Sequence, residues 1–141
     1  MNFKRWATAV VLAVFVVGTA HAQSVPVRLK TPSDIKQYLE GSWFYVTKQV
    51  FPGHGEVTLE NIVTYKADNS FVLTVTDAAT GKSKSQTGMY QVRPLNAARF
   101  GLAHQFPGRP ARPATMEVVT TDSIRNVGLK FVAQRMPQAA Q

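Results

Sequence analysis

The chain is predicted to fold as an all-β protein, a small antiparallel up-and-down barrel of about eight strands preceded by one short helix. Three observations lead there. The spacing of apolar residues changes at Gly41, from the i, i+3, i+4 pattern of a helix to alternation along stretches rich in β-branched and aromatic residues. Clusters of Gly, Pro, Asn and Asp interrupt that alternation at short intervals, so successive strands join as hairpins. No segment repeats at a period of about 20–50 residues, which argues against a propeller or a solenoid. A run of hairpins in one small domain closes most simply into a barrel, because closure removes the two exposed sheet edges.

The first element is an export signal over residues 1–22. Lys4 and Arg5 form a short basic head, Trp6 to Val17 an apolar stretch, and Gly18 breaks it before Ala20-His21-Ala22, which places small residues at the −3 and −1 positions of a signal-peptidase site. The mature chain is expected to begin at Gln23 and to work in the periplasm or outside the cell. The apolar stretch is shorter than the roughly 20 residues that a membrane-crossing helix needs. The chain has no cysteine, which leaves nothing to carry a lipid and no disulfide to hold the fold. Packing and hydrogen bonds must then supply all of the stability, and a domain of this size buries on the order of 65% of its unfolded surface.

Residues 23–40 read as an N-terminal arm and the helix. Val25, Val27 and Leu29 alternate with other residues, as in an extended arm that lies along a sheet and shields the apolar residues Phe44 and Val46; a second subunit is the other source of such cover. Thr31 is an N-cap, Pro32 suits the first helical position, and Asp34 places a carboxylate at the positive end of the helix. Ile35, Tyr38 and Leu39 form the apolar face, and Gly41 ends the helix. The barrel occupies residues 41–136. Its strands run approximately over Ser42 to Val50, Val57 to Lys66, Phe71 to Thr76, Ser83 to Val92, Arg99 to Ala103, Thr115 to Thr120, Ser123 to Asn126 and Leu129 to Arg135. Ala67-Asp68-Asn69-Ser70 is a strong turn signal, since Asp and Asn accept left-handed backbone. Thr121-Asp122 is a weaker one, so seven strands are the alternative count. Residues 137–141 read as a disordered tail.

The segment Asp34-Ile35-Lys36-Gln37-Tyr38-Leu39-Glu40-Gly41-Ser42-Trp43 resembles the opening of a lipocalin-like, calycin-type barrel, in which a short helix precedes Gly-x-Trp at the start of the first strand. The chain is most similar to the compact bacterial lipocalin-like domains. The resemblance implies structural roles for two residues: Trp43 plugs the closed base of the barrel, and a basic residue of the last strand packs across it. In an eight-stranded meander the last strand returns to the base, which makes Arg135 that residue.

Strand parity then sorts the remaining candidates. If Trp43 points inward, Tyr45 and Thr47 follow it on the same face, and Tyr65, Phe71, Met89 and Phe131 are the inward residues of other strands. An aromatic floor with a few convergent polar groups is the usual make-up of a small-ligand site; a barrel filled by its own side chains is the alternative. The loops after the odd-numbered strands share the mouth. Two of them, Phe51-Pro52-Gly53-His54-Gly55 and Phe106-Pro107-Gly108-Arg109-Pro110-Ala111-Arg112-Pro113, each carry aromatic and basic residues on a stiffened backbone. Phe51, His54, Phe106, Arg109 and Arg112 are thus the expected rim.

Composition bounds the function classes. Lys and Arg number 16 against 8 Asp and Glu; without Lys4 and Arg5, 14 face 8, a net charge of +6. The field favours acidic ligands or anionic surfaces. The basic residues are scattered, and the chain carries no nucleic-acid recognition motif. No catalytic residue is assigned, because no nucleophile stands beside a base in a known pattern. His54, Glu56 and His104 could meet at the rim if the two loops approach, but two histidines without a third ligand of suitable spacing are weak evidence for zinc, and neither a metal nor a cofactor is assigned. The expected activity is binding of a small, mostly apolar ligand, with an anionic end as one option. A protein-binding envelope accessory or inhibitor module with a filled barrel is the alternative, and a metal-dependent enzyme at the rim is the weaker one.

Overall fold

The computed structural model describes residue 27 and residues 29–138. The expected export signal and cleavage site, Val25 and the last three residues of the expected tail lie outside the described residues. The expected architecture is observed: one helix, α1 (Pro32–Leu39), followed by eight antiparallel strands that close in sequence order. The strands are β1 (Gly41–Phe51), β2 (Gly55–Tyr65), β3 (Ser70–Asp77), β4 (Ser83–Pro94), β5 (Arg99–Gln105), β6 (Arg112–Thr120), β7 (Ser123–Asn126) and β8 (Val132–Arg135). Each pairs with the next, and β8 returns to β1 through Trp43 opposite Arg135 and Phe44 opposite Gln134. No helix among the described residues is long and apolar enough to cross a membrane.

The helix forms for the local reasons read from the sequence. The Thr31 side chain accepts from the Asp34 amide, and the Asp34 carboxylate accepts from the Thr31 amide, so two orphan donors of the first turn are satisfied. These bonds to Thr31 hold the Asp34 carboxyl below its usual range. Ile35, Tyr38 and Leu39 are buried beneath the helix, which closes the base of the barrel. The arm departs from expectation. Leu29 does not run along a sheet but tucks into the core with Ile35 and Leu39, Val27 packs against the same cluster, and Val46 remains exposed.

Several strand limits also differ, two of them by three residues. Instead of an eighth strand from Leu129, residues 127–131 make a turn in which the Asn126 carboxamide accepts from the Leu129 amide at 2.8 Å and Lys130 takes φ 60°. Strand β6 starts at Arg112, three residues early, because Ala103 and His104 pair with Pro113 and Arg112. The Asp68-Asn69 turn forms as expected, with Asn69 at φ 68° and the Asp68 carboxylate accepting from the Ser70 amide at 2.9 Å.

Candidate functional site

Alternation fills the barrel from the base upward. Trp43 and Tyr45 of β1, Val63 and Tyr65 of β2, Phe71 and Leu73 of β3, Leu102 and His104 of β5, Met116 of β6, Ile124 of β7 and Ala133 of β8 face inward, and they do not meet in the middle. They enclose a cavity of about 260 Å³ whose floor is Trp43. Toward the mouth the lining continues through Phe106, Arg112, Asn126, Leu129 and Phe131.

The lining is strongly aromatic. Phe71 packs edge-on against His104 and Phe106, with ring centroids 4.7 and 5.2 Å apart, and the Tyr65 ring stacks on His104. Tyr45 and Phe131 form a separate stack, 4.2 Å apart and nearly parallel. Phe71 fits because Gly88 lies behind it: a Cβ there would stand 2.7 Å from the Phe71 ring and 2.5 Å from the Gln105 carbonyl oxygen. Such approaches are what a strand glycine permits.

Few polar groups reach this space. The Tyr65 hydroxyl and His104 Nε2 are 2.7 Å apart. Burial lowers the His104 pKa to about 4, which leaves the imidazole neutral at neutral pH, and burial pushes the Tyr65 phenol well above its ordinary value. A neutral ring with Nε2 as acceptor receives the hydrogen bond of the Tyr65 hydroxyl and carries its own proton on Nδ1. Asn126 is buried, and its carboxamide oxygen is engaged by the Leu129 amide. Arg112 stands at the open end with no carboxylate within salt-bridge distance among the described residues.

Tyr45, Tyr65 and Phe71 line the cavity by strand alternation, Phe131 reaches it from the turn before β8, and Phe106 and Arg112 reach it from the rim. Others do not. Met89 points outward and is 51% exposed, because Gly88 and Tyr90 hold the inward phase of β4. Thr47 shares the inward face but lies outside the lining, and its hydroxyl accepts from the Asn61 carboxamide at 3.1 Å. Phe51 ends β1 and His54 sits on the exposed turn that follows, both beyond the cavity. Arg109 belongs to the β5–β6 turn and borders a shallow surface groove with Gln86, Thr87 and Phe106. His104 faces inward and the described residues contain no group of three metal-ligating side chains, so His54, Glu56 and His104 do not assemble at the rim.

Sequence reasoning missed His104 and Asn126 as inward residues. The signal was present in β5, where Phe100, Leu102 and His104 fall on one face, and in β7, where Ile124 and Asn126 do the same.

Fold and site together define a closed eight-stranded antiparallel barrel with a mostly apolar interior cavity. No known protein family, curated protein or solved structure matches the chain. The architecture is consistent with a lipocalin-like fold, and the likeness rests on the barrel, its preceding helix, and Trp43 and Arg135 at the base.

Proposed function

We propose that this is an exported lipocalin-like protein that binds a small, mostly apolar ligand inside the barrel and performs no chemistry on it. The observation that carries the reading is the cavity itself. A dry apolar space of about 150 Å³ takes a benzene ring, and drug-sized ligands occupy about 300–1,000 Å³. The space of about 260 Å³ therefore suits a ligand of roughly ten non-hydrogen atoms, such as one fused ring system or a short chain. Aromatic walls favour an aromatic or planar ligand. The neutral Tyr65–His104 pair offers a hydrogen bond without a buried charge, and Arg112 at the mouth suits an anionic end of the ligand. The catalytic reading gains no support, since the Tyr65 hydroxyl and His104 Nε2 satisfy each other and no nucleophile stands beside them. A protein-binding module with a filled barrel is disfavoured by the open interior. Work outside the cytoplasm is part of the proposal and is supported by the signal-like pattern of residues 1–22.

Mass spectrometry of compounds extracted from protein purified out of its own host tests the proposal, together with uptake of a small fluorescent apolar probe. A recurrent small compound that competes with the probe is the expected result. Absence of any extracted compound, with no probe uptake, overturns it.

A further inference from the structure

Cations stand at both ends of the barrel axis. At the closed end Arg135 is paired with Asp122 at 3.2 Å, and Arg99 and Arg125 with Glu117 at 3.7 and 3.8 Å, while Lys30, Lys66 and Arg93 are exposed with no such partner among the described residues. At the open end Lys82, Lys84, Arg109, Arg112 and Lys130 are exposed, with no carboxylate within salt-bridge distance among the described residues. Lys48 is paired there with Glu56 at 3.0 Å. Of the other carboxylates on that half, Asp77 is held by its own turn, accepting from the Ala79 amide at 2.8 Å, and Glu60 lies farther down β2.

The same end exposes apolar side chains. Val50 is 76% exposed and Phe51 41% at the tip of the β1–β2 hairpin, and Leu129 is 75% exposed on the β7–β8 turn. These two turns are neighbours around the barrel, because β8 closes on β1. Apolar tips thus stand among unpaired cations at this end. They match an interface that is apolar below and anionic above.

We infer that the open end of the barrel is a docking face for an anionic lipid surface. Val50, Phe51 and Leu129 enter the boundary between headgroups and acyl chains, and the lysines and arginines around them face lipid phosphates. A membrane fits better than an acidic protein. The tips are separate small projections and not a continuous patch, and three of the five cations are lysines, which protein interfaces tend to exclude. Their long stems adapt to a fluid surface at little cost. Docked this way, the cavity mouth faces the lipid.

Co-sedimentation of the exported protein with vesicles is the test, using phosphatidylcholine alone and phosphatidylcholine with about 30% phosphatidylglycerol. Binding is expected to the anionic vesicles, to fall as salt rises, and to be negligible with the zwitterionic ones. The combined substitutions Lys82→Glu, Lys84→Glu and Lys130→Glu lie outside the cavity lining; they should weaken vesicle binding at least about tenfold while leaving probe uptake and melting temperature unchanged. Val50→Ser should weaken it severalfold. The inference is overturned if the protein ignores anionic vesicles, binds both compositions equally, or binds as well with the three lysines reversed. Binding to soluble polyglutamate as strong as to vesicles, and indifferent to Val50→Ser, overturns it in favour of an acidic protein partner. Probe uptake is scored separately, so loss of docking does not count against the ligand-binding proposal.

Discussion

The guanidinium of Arg135 lies 4.3 Å from the centre of the Trp43 ring, and the two residues face each other across the seam where the last strand meets the first. Trp43 is fully buried and donates its indole N–H to the Leu39 carbonyl at 2.8 Å. Arg135 donates to the carbonyls of Tyr38 and Glu40 and pairs with Asp122. The positive charge therefore sits at the carbonyl end of α1, where the helix dipole favours it. One residue joins three things: helix end, barrel seam and aromatic plug.

Arg135→Lys keeps the charge but loses the planar fork, so it should cost about 1–3 kcal/mol, the range for charge-assisted hydrogen bonds. Trp43→Ala removes a buried ring and should cost about 3–5 kcal/mol. Urea titration measures both. A loss below about 1 kcal/mol for Trp43→Ala would show that the plug is not structural.

Gly88→Ala places a methyl group against the Phe71 ring and the Gln105 carbonyl. The backbone oxygen cannot move aside cheaply, so Phe71 must swing into the cavity. A cost of about 1–3 kcal/mol is expected, with weaker probe uptake. A thermal melt alongside probe titration reads both, and an unchanged melt with full uptake contradicts the packing described.

Ala114→Phe puts a ring into the space above Met116 and Leu102, where Ala114 lines the cavity. Because that volume is empty, the substitution should leave the melting temperature within a few degrees and abolish probe uptake. In a filled interior the same ring would cost about 1–3 kcal/mol. Strong destabilisation is therefore the adverse result.

His104 predicts a pH dependence. Its folded pKa is lowered to about 4, from the ordinary 6.5 that the unfolded chain retains. Between these values the unfolded state binds a proton that the folded state refuses. Stability is thus full above pH 6.5, declines as pH falls through 6.5, and levels off near 4. The loss is at most on the order of 3 kcal/mol. His104→Gln should flatten the decline in that window. Urea midpoints at a series of pH values measure it, and an unchanged slope in the variant argues against a buried neutral His104.

Much of the fold was legible because local rules and global closure agree. The Thr31-Pro32-Asp34 cap, the left-handed Asn69 and the meeting of Arg135 with Trp43 each follow from short-range chemistry or from strand parity. The site was legible where one face of a strand is plainly apolar, as at Tyr65 and Phe71. It failed in β4, where Met89 on one face and Tyr90 with Val92 on the other give no clear phase. The deciding fact is the need to seat the Phe71 ring on Gly88, which is a contact between strands and invisible to periodicity. Thr47 and Phe51 failed for another reason: β1 outruns the cavity, and the height at which a strand leaves the enclosed space is set by its partners.

That outrun gives the closed barrel an edge. Strand β8 pairs with β1 only at Trp43 and Phe44, so from Tyr45 to Phe51 one row of backbone donors and acceptors has no neighbouring strand among the described residues. Near the seam the Tyr45–Phe131 stack bridges the gap with side chains. Beyond it, Lys48 places a charge midway along the free stretch, between the exposed Val46 and Val50. There Lys48 is held by Glu56 of the neighbouring strand, and a charged pair in that position is the kind of edge feature that discourages another chain from adding itself as a ninth strand.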